Sequence, residues 1–483
     1  MNITEYAAHD ATALAELIRS RQVTAAEVRA AAADALDRVD PHLSAIAGTR
    51  YDAPLACDED GPFAGVPFAI KDLIAHAEGV PTRSGSRMFG DGVTYPYDTH
   101  LMARFRRAGL ASMATTRSPE MGFNASTEAL AYGGPTRNPW DRTRSAGGSS
   151  GGSAALVAAG ALPMAHANDG GGSIRIPAAA CGAVGLKPSR GRITPGPDFA
   201  DPLMGLGVEF AITRTVRDCA RLFDAVHGSE PGDRYLLPAP DRSYAEHAGI
   251  GSRPLRVAFS ATPDDPRRAV DPESVAALAR VAQQLADMGH TVEEAAPDID
   301  AEAFDRANLD AWCSFLGDAV TGAAAQLGCT PGREHLEATT LACVEYGKSL
   351  SAFDIYAAER VFNTATREVA RFLTGYDVLL TPTTAAPTVE LGRLDADDAS
   401  LDARGWYERI FEYGAFTSLF NATGHPAISL PLAQSSAGLP IGMQFVGRYG
   451  DEATLLALAG DLERAMPWAD RIPSVHVTTL GVG

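Results

Sequence analysis

The chain has 483 residues, of which 46% are hydrophobic and 21% are charged, as in an ordinary globular protein with a sizeable core. Its 41 basic and 60 acidic residues give a formal net charge of −19, which repels phosphate backbones and anionic lipid. We therefore expect neither a nucleic-acid partner nor a membrane partner, and no run of about 18 apolar residues indicates a membrane span.

The cysteines and the first residues indicate the compartment. Six cysteines are scattered without a CxxC pair, which predicts reduced and mostly buried thiols instead of a disulfide framework or a zinc site. The opening MNITEYAAHDATA lacks the basic and apolar regions of a signal peptide. We expect a cytoplasmic protein with no metal and no other cofactor.

Hydrophobic periodicity predicts helices and strands in alternation. Two amphipathic helices are expected at 10–20 and 24–39, and the second begins with the capping box Thr24–Glu27. Further along the chain we predict a strand at 66–70, a helix at 101–108, a strand at 110–115, a helix at 213–227, a strand at 255–259, a helix at 272–289, a strand at 291–293, mostly helix over 301–373, strands at 378–381, 428–431 and 441–446, and a helix at 453–466. The strand, helix, strand succession over 255–293 favours an α/β fold. With no repeat and no linker, one large domain is favoured over two.

Two clusters rich in glycine and serine, at 147–153 and 170–173, stand out in this pattern. Glycine costs roughly 0.5–1 kcal/mol of chain entropy relative to alanine, so some close backbone approach must require it. The first cluster matches G-x-S-x-G, but a nucleophile elbow needs a strand directly before it, and 138–144 is polar and broken by proline. Phosphate-loop and HExxH motifs are absent.

The second cluster is predicted to form an oxyanion site. Successive backbone N–H groups of Gly170, Gly171, Gly172 and Ser173 are expected to converge on one point, where they would stabilise a developing negative charge. Ser173 is the candidate nucleophile in this nest. The plainer alternative is a serine that only forms a turn.

A nucleophilic serine needs a base. No histidine shows a local pattern that connects it to Ser173, and His166 is expected to pack or hydrogen-bond internally. Lys71 follows the apolar run 66–70, and burial would lower its pKa enough for it to act as a base. The alternative for Lys71 is a side chain that extends to solvent.

Three motifs, IKD at 70–72, GGSSGGS at 147–153 and NDGGGSIRIPAAACGAVGLKPSRG at 168–191, together resemble the amidase signature family. The resemblance continues through RNPW at 137–140, YDVLLTPT at 376–383, GHPAISLP at 424–431 and PIGMQFVGRYGDEATLL at 440–456. It implies one amidase domain over 1–483, with a central mixed β-sheet covered by helices on both faces. N-terminal helices, at about 1–60, would wrap the core, and the signature region would span about 66–195.

The resemblance also implies a catalytic triad and a reaction. Lys71 would be the base, Ser149 the bridging serine after a cis peptide bond, and Ser173 the nucleophile of an amidohydrolase that forms an acyl-enzyme. Ser149 is chosen because the family's two serines lie 24 positions apart, which is the separation between Ser149 and Ser173. Ser150 would be a supporting hydrogen-bonding neighbour.

Two residues close to Ser173, Asp169 and Arg175, complete the predicted site. Asp169 and Arg175 are expected to brace the nest with hydrogen bonds, and solvated charges are the alternative. Asn168 stands where family members commonly have threonine or serine, a departure that leaves the triad intact.

The substrate is less well defined than the chemistry. The loop GRITPGP at 191–197 and the segment MPWADRIP at 466–473 resemble bacterial amidases that hydrolyse nylon oligomers. Alternatives are a carbamate-cleaving urethanase, an aryl acylamidase, and the amidase subunit of a tRNA-dependent amidotransferase. We expect a small amide or carbamate substrate, and a homodimer is one option for the assembly. The candidate pocket residues are Met121, Phe123, Asn124, Cys313 and Phe315.

Overall fold

The structure, a computed structural model, describes residues 1–480, in which fifteen α-helices and twelve β-strands are formed. The helices are α1 (Ile3–Ala7), α2 (Ala11–Arg19), α3 (Ala25–Leu43), α4 (His100–Arg107), α5 (Gly151–Ala158), α6 (Arg175–Cys181), α7 (Val216–Val226), α8 (Tyr244–Ile250), α9 (Pro272–Asp287), α10 (Ala301–Leu327), α11 (Ala338–Ser349), α12 (Ala352–Gly375), α13 (Ala403–Tyr413), α14 (Leu419–Ala422) and α15 (Glu452–Ala465). The strands are β1 (Val66–Lys71), β2 (Leu110–Thr116), β3 (Glu128–Ala129), β4 (Gly134–Pro135), β5 (Met164–Asp169), β6 (Val184–Lys187), β7 (Val208–Thr213), β8 (Arg256–Phe259), β9 (Thr291–Glu294), β10 (Val378–Pro382), β11 (Ala427–Gln434) and β12 (Pro440–Gly447).

Eight of these strands form the central sheet, in the spatial order β5-β7-β6-β11-β12-β10-β8-β9. Strands β10, β8 and β9 are parallel, and the neighbours from β5 to β10 pair antiparallel. Helices α6, α7, α9 and α15 pack directly against the strands. The predicted single α/β domain with a mixed sheet covered by helices is confirmed.

Strand β1 ends with Ile70 and Lys71 of the IKD motif and lies beside β5 at the edge of this sheet. It pairs in parallel with β2 and contacts β5, and the backbone N–H of Lys71 donates to Nδ1 of His166 in β5 at 3.1 Å. All six residues of β1 are buried, as expected for a strand covered on both faces. Helices α2 and α3 contact β1 from the N-terminal side of the chain.

Three differences from the sequence expectation concern β7, the start of α7 and the end of α3. Strand β7 was not predicted, and the helix expected from 213 begins at Val216, where the Thr215 side chain accepts from the N–H of Asp218 and caps it. Helix α3 continues to Leu43 with Pro41 inside its last turn, beyond the predicted end at 39. No helix within residues 1–480 combines the length and apolar character needed to cross a membrane.

Candidate active site

Lys71 is the last residue of β1, and its side chain is buried beside the first glycine–serine cluster. Its Nζ lies within hydrogen-bond distance of Ser149 Oγ at 2.7 Å, Ser150 Oγ at 2.9 Å and Asn168 Oδ1 at 2.5 Å. Burial lowers the pKa of Lys71 to about 7, although the negative charges of Glu209 and Asp169 act in the opposite direction. Near neutral pH a large fraction of this lysine is therefore an uncharged amine.

The first cluster places the two serines immediately before α5. The peptide bond between Gly148 and Ser149 is cis. Gly148 lies against the backbone of Ser126, where a Cβ atom would come within 2.6 Å of both the Ser126 nitrogen and its carbonyl oxygen. Glycine is required here because backbone meets backbone. Ser150 Oγ donates to the carbonyl oxygen of Asn168 at 3.3 Å, which connects this cluster to β5.

The second cluster forms the turn between β5 and α6 and carries Ser173. Within residues 1–480, the N–H groups of Gly170, Gly171 and Ser173 have no hydrogen-bond partner, and the Ser173 hydroxyl has none either. The prediction is wrong for Gly172, whose N–H donates to Asp169 Oδ1 at 2.7 Å and is not available to a substrate. Gly172 has φ of +135°, and a Cβ atom there would lie 2.6 Å from Cδ1 of Ile176.

Asp169 and Arg175 form a fully buried ion pair behind this turn. Asp169 accepts from Arg175 Nε at 2.9 Å and Nη2 at 2.8 Å, and also from the N–H of Ile174 at 3.1 Å. Arg175 extends the network to Gln444 Oε1 and Asn421 Oδ1, both at 2.7 Å. Burial alone would raise the pKa of Asp169, but the Arg175 guanidinium outweighs it and holds that pKa well below its usual range. The alternative of two solvated charges is therefore excluded.

Ser149, Asn168 and Ser173 open onto one cavity. Of the predicted pocket residues, Met121 and Phe315 line it. The other residues of the wall are Leu73, Ile74, Gly122, Asp169, Gly170, Pro202, Leu203, Gly207, Val208, Glu209 and Trp312.

The three remaining pocket predictions are corrected. Phe123 lies behind the wall, stacked on Trp312 with ring centroids 4.4 Å apart. Asn124 is held in the core, where its Nδ2 donates to the carbonyl oxygen of Leu394 at 3.0 Å. Cys313 of α10 is buried beside Cys343 of α11. Adjacent residues of a helix point about 100° apart, so Cys313 points away from the cavity that its neighbour Trp312 lines.

Two polar residues at the site were missed as participants. Asn168 was noted only as a departure from the family, yet it contacts Lys71 Nζ, and its Nδ2 donates to the carbonyl oxygen of Leu73 at 3.1 Å. Glu209 was not singled out, because it stands in the apolar segment VEFAIT, which reads as an ordinary buried strand. It accepts from His166 Nε2 at 2.6 Å and lines the cavity. No pattern within 208–213 signals this position.

The class of protein follows from a match over most of the chain. The Amidase family model matches residues 16–456. The chain belongs to this family and is an amide-hydrolysing enzyme, so the predicted resemblance is confirmed.

Individual relatives cover nearly the whole chain. It is 39% identical to the 6-aminohexanoate-cyclic-dimer hydrolase of Paenarthrobacter ureafaciens, over 96% of each sequence. A solved structure of 6-aminohexanoate cyclic dimer hydrolase is similar with a TM-score of 0.89 and 36% identity, covering 97% of this chain and 99% of that one. A bacterial aryl acylamidase of the amidase signature family has a TM-score of 0.83 and 26% identity, covering 96% of this chain and 97% of that one.

Proposed function

We propose that this enzyme hydrolyses amide bonds of small molecules through an acyl-enzyme on Ser173, with Lys71 as the base and Ser149 as the proton carrier between them. The observation that carries the proposal is the 2.7 Å contact between the buried Lys71 Nζ and Ser149 Oγ, in the wall of the cavity that Ser173 also lines. A lysine with a pKa of about 7 is matched to accepting a proton near neutral pH.

The hydrogen bonds around Lys71 distinguish the roles of the two serines. A neutral amine has two N–H donors and one lone pair, and Nζ has three neighbours. Asn168 Oδ1 can only accept, and Ser150 Oγ accepts because its own proton is donated to the Asn168 carbonyl oxygen. The lone pair is left for Ser149, whose proton would pass to Lys71. This supports Ser149 as the carrier and Ser150 as a supporting residue.

The reaction proceeds in two acyl-transfer steps. Ser173 Oγ attacks the carbonyl carbon while its proton passes to Ser149 Oγ, and the Ser149 proton passes to Lys71 Nζ. When the C–N bond breaks, Ser149 Oγ gives one proton to the leaving nitrogen and takes one back from Lys71 Nζ, so the amine departs and Lys71 is again neutral. Water then attacks the ester on Ser173 and is deprotonated by the same route, which releases the acid. Catalytic hydrogen bonds often shorten only in the substrate complex, so the proton transfer from Ser173 to Ser149 belongs to that complex.

The backbone turn would supply the oxyanion site. The N–H groups of Gly170, Gly171 and Ser173 are free to donate to the substrate oxygen, whereas that of Gly172 is not. A single donor of this kind is worth roughly 2.7–4 kcal/mol to a transition state. The Asp169–Arg175 pair behind the turn would hold these donors in place before substrate arrives.

The substrate class is tested with the chain by itself. Unbranched amides, anilides, carbamates, esters and glutamine are offered to the wild type and to Ser173→Ala. Ser112→Ala is the matched control, since Ser112 is buried in β2 and its hydroxyl has no partner in the described part of the chain. We expect Ser173→Ala to lose at least about a thousandfold in kcat for every accepted substrate, and Ser112→Ala to stay near wild type. Full activity in Ser173→Ala would refute the proposal.

A further inference from the structure

Glu209 lies in the cavity wall, and its carboxylate has no role in the proposed acyl transfer. It stands in β7 directly opposite Asn168 of β5, the residue whose amide contacts Lys71 Nζ. Glu209 lines the same cavity as Ser149 and Ser173. A charged group next to the reacting centre must influence which substrates can bind there.

The charge on Glu209 is not neutralised by its histidine neighbour. His166 Nδ1 accepts the backbone N–H of Lys71, so this nitrogen carries no proton. The proton is on Nε2, which donates to Glu209 Oε2 at 2.6 Å. His166 is therefore an imidazole with one proton and supplies no positive charge to the Glu209 carboxylate.

No arginine or lysine in the described chain forms an ion pair with this carboxylate. Within residues 1–480 the hydrogen bond to Glu209 comes from His166 and goes to Oε2, and no arginine or lysine from these residues lines the cavity. Asp169, the second acidic residue in the wall, is already paired with Arg175. Lys71 directs its Nζ to the two serines and Asn168 instead of Glu209.

A largely buried carboxylate without a cation is costly, and a positively charged ligand group would remove that cost. The aromatic rings of Trp312 and Phe315, which share the cavity wall, also attract cations at their faces. An anionic ligand group would be repelled by Glu209 at the same point.

We propose that Glu209 Oε1 binds a primary ammonium group on the substrate, so that the enzyme prefers amides that carry an amine over neutral or acidic amides of the same length. This inference rests on the proposed function and names a substrate class for the same site. Glu209 is then a specificity residue, and the carbonyl chemistry stays with Ser173, Ser149 and Lys71.

The test uses three matched series of anilides, whose acyl chains end in an ammonium, a methyl or a carboxylate group, at several chain lengths. The ratio of kcat/KM for ammonium over methyl is measured in the wild type and in Glu209→Gln at about pH 8.5, where an alkylamine is still protonated. We expect a wild-type ratio of at least about ten at the best length. In Glu209→Gln it should fall toward one, mainly through KM. The ratio cancels any change in Lys71 basicity, because that change affects every substrate alike.

Two further measurements keep the result decisive. Circular dichroism and a thermal unfolding midpoint show whether Glu209→Gln is folded. Calorimetric titration of the wild type with hexylammonium and with hexanol measures the preference without any variant and without turnover, and we expect hexylammonium to bind at least about tenfold more tightly.

The outcomes separate this inference from the proposed function. If the wild type hydrolyses methyl and ammonium anilides equally, or if its preference persists in a folded Glu209→Gln, the role of Glu209 is refuted and the serine mechanism stands. If no amide is hydrolysed but hexylammonium binds preferentially, the proposed function fails and the cation site stands. Equal binding of hexylammonium and hexanol refutes the cation site in either case.

Discussion

Replacing Asp169 by asparagine removes the charge that lies behind the turn carrying Ser173. The carboxylate accepts from the N–H groups of Gly172 and Ile174 and from two nitrogens of Arg175. Asparagine keeps one acceptor oxygen but turns an NH₂ group toward donors. It also leaves the guanidinium of Arg175 uncompensated at a fully buried position.

The expected cost follows from that burial. Removing one partner of a buried ion pair typically costs about 3–5 kcal/mol. We therefore expect Asp169→Asn to lower the free energy of unfolding by about this amount in urea titrations followed by circular dichroism. We also expect kcat to fall at least about tenfold, because the free N–H groups of the turn are no longer held in one arrangement.

The matched control is Glu408→Gln, which breaks the exposed ion pair between Glu408 and Arg404, at 2.9 Å with side chains 59% and 64% exposed. Exposed pairs of this kind contribute about 0–1 kcal/mol, so the control should stay close to the wild type in stability and in kcat. If the free energy of unfolding of Asp169→Asn lies within about 1 kcal/mol of that of the control, and its kcat is unchanged, the bracing role assigned to the buried pair is refuted.

Three further predictions concern Lys71 and its contacts. Because the neutral amine is the base, kcat/KM for an uncharged amide should rise about tenfold from pH 6 to a plateau above about pH 8, centred on the Lys71 pKa of about 7; a flat profile would contradict this. Asn168→Asp places a negative charge beside Nζ, which favours the ammonium form, so the midpoint of the pH profile should move to higher pH, and an unchanged midpoint would count against the contact. Ser149→Ala should lower kcat far more than Ser150→Ala, by at least about a hundredfold, and equal losses in single-turnover rates would reverse the assigned roles.

The two glycine–serine clusters can be recognised as candidate functional segments from the sequence alone, because each glycine has an entropic cost that must be offset. So costly a run of glycines indicates that another part of the chain approaches the backbone closely. At Gly148 this is confirmed, because its backbone lies directly against the backbone of Ser126. The donor pattern at the second cluster was less predictable. Asp169 lies three residues before Gly172 and accepts its N–H, a contact that no motif in the sequence marks.

The link between Lys71 and the serines is not local and was not derivable from spacing. Lys71 and Ser149 are 78 positions apart, and only the packing of β1 beside β5 brings Nζ to the hydroxyl. In the absence of a pairing rule for these strands, the family resemblance was needed to connect them. The position of Glu209 beside the site was not predictable for a similar reason, because it depends on the pairing of β7 with β5.

The rotation of α10 about its axis determines which of its residues line the cavity. Trp312 and Cys313 are neighbours in α10, and the sequence offered no means to tell which one faces the cavity. The answer depends on where α11 packs, because Cys313 lies against it. Contacts between distant segments therefore set the details of the pocket wall, whereas the catalytic motifs are visible in the sequence.

In the proposed mechanism Ser173 forms the covalent bond to the acyl group. The most direct measurement is mass spectrometry of the protein after reaction with a serine-directed sulfonyl fluoride, followed by peptide mapping of the labelled residue. We expect one label per chain on Ser173, much slower labelling in Lys71→Ala and none in Ser173→Ala. A label on Ser149 or Ser150, or full labelling of Ser173→Ala, would contradict it.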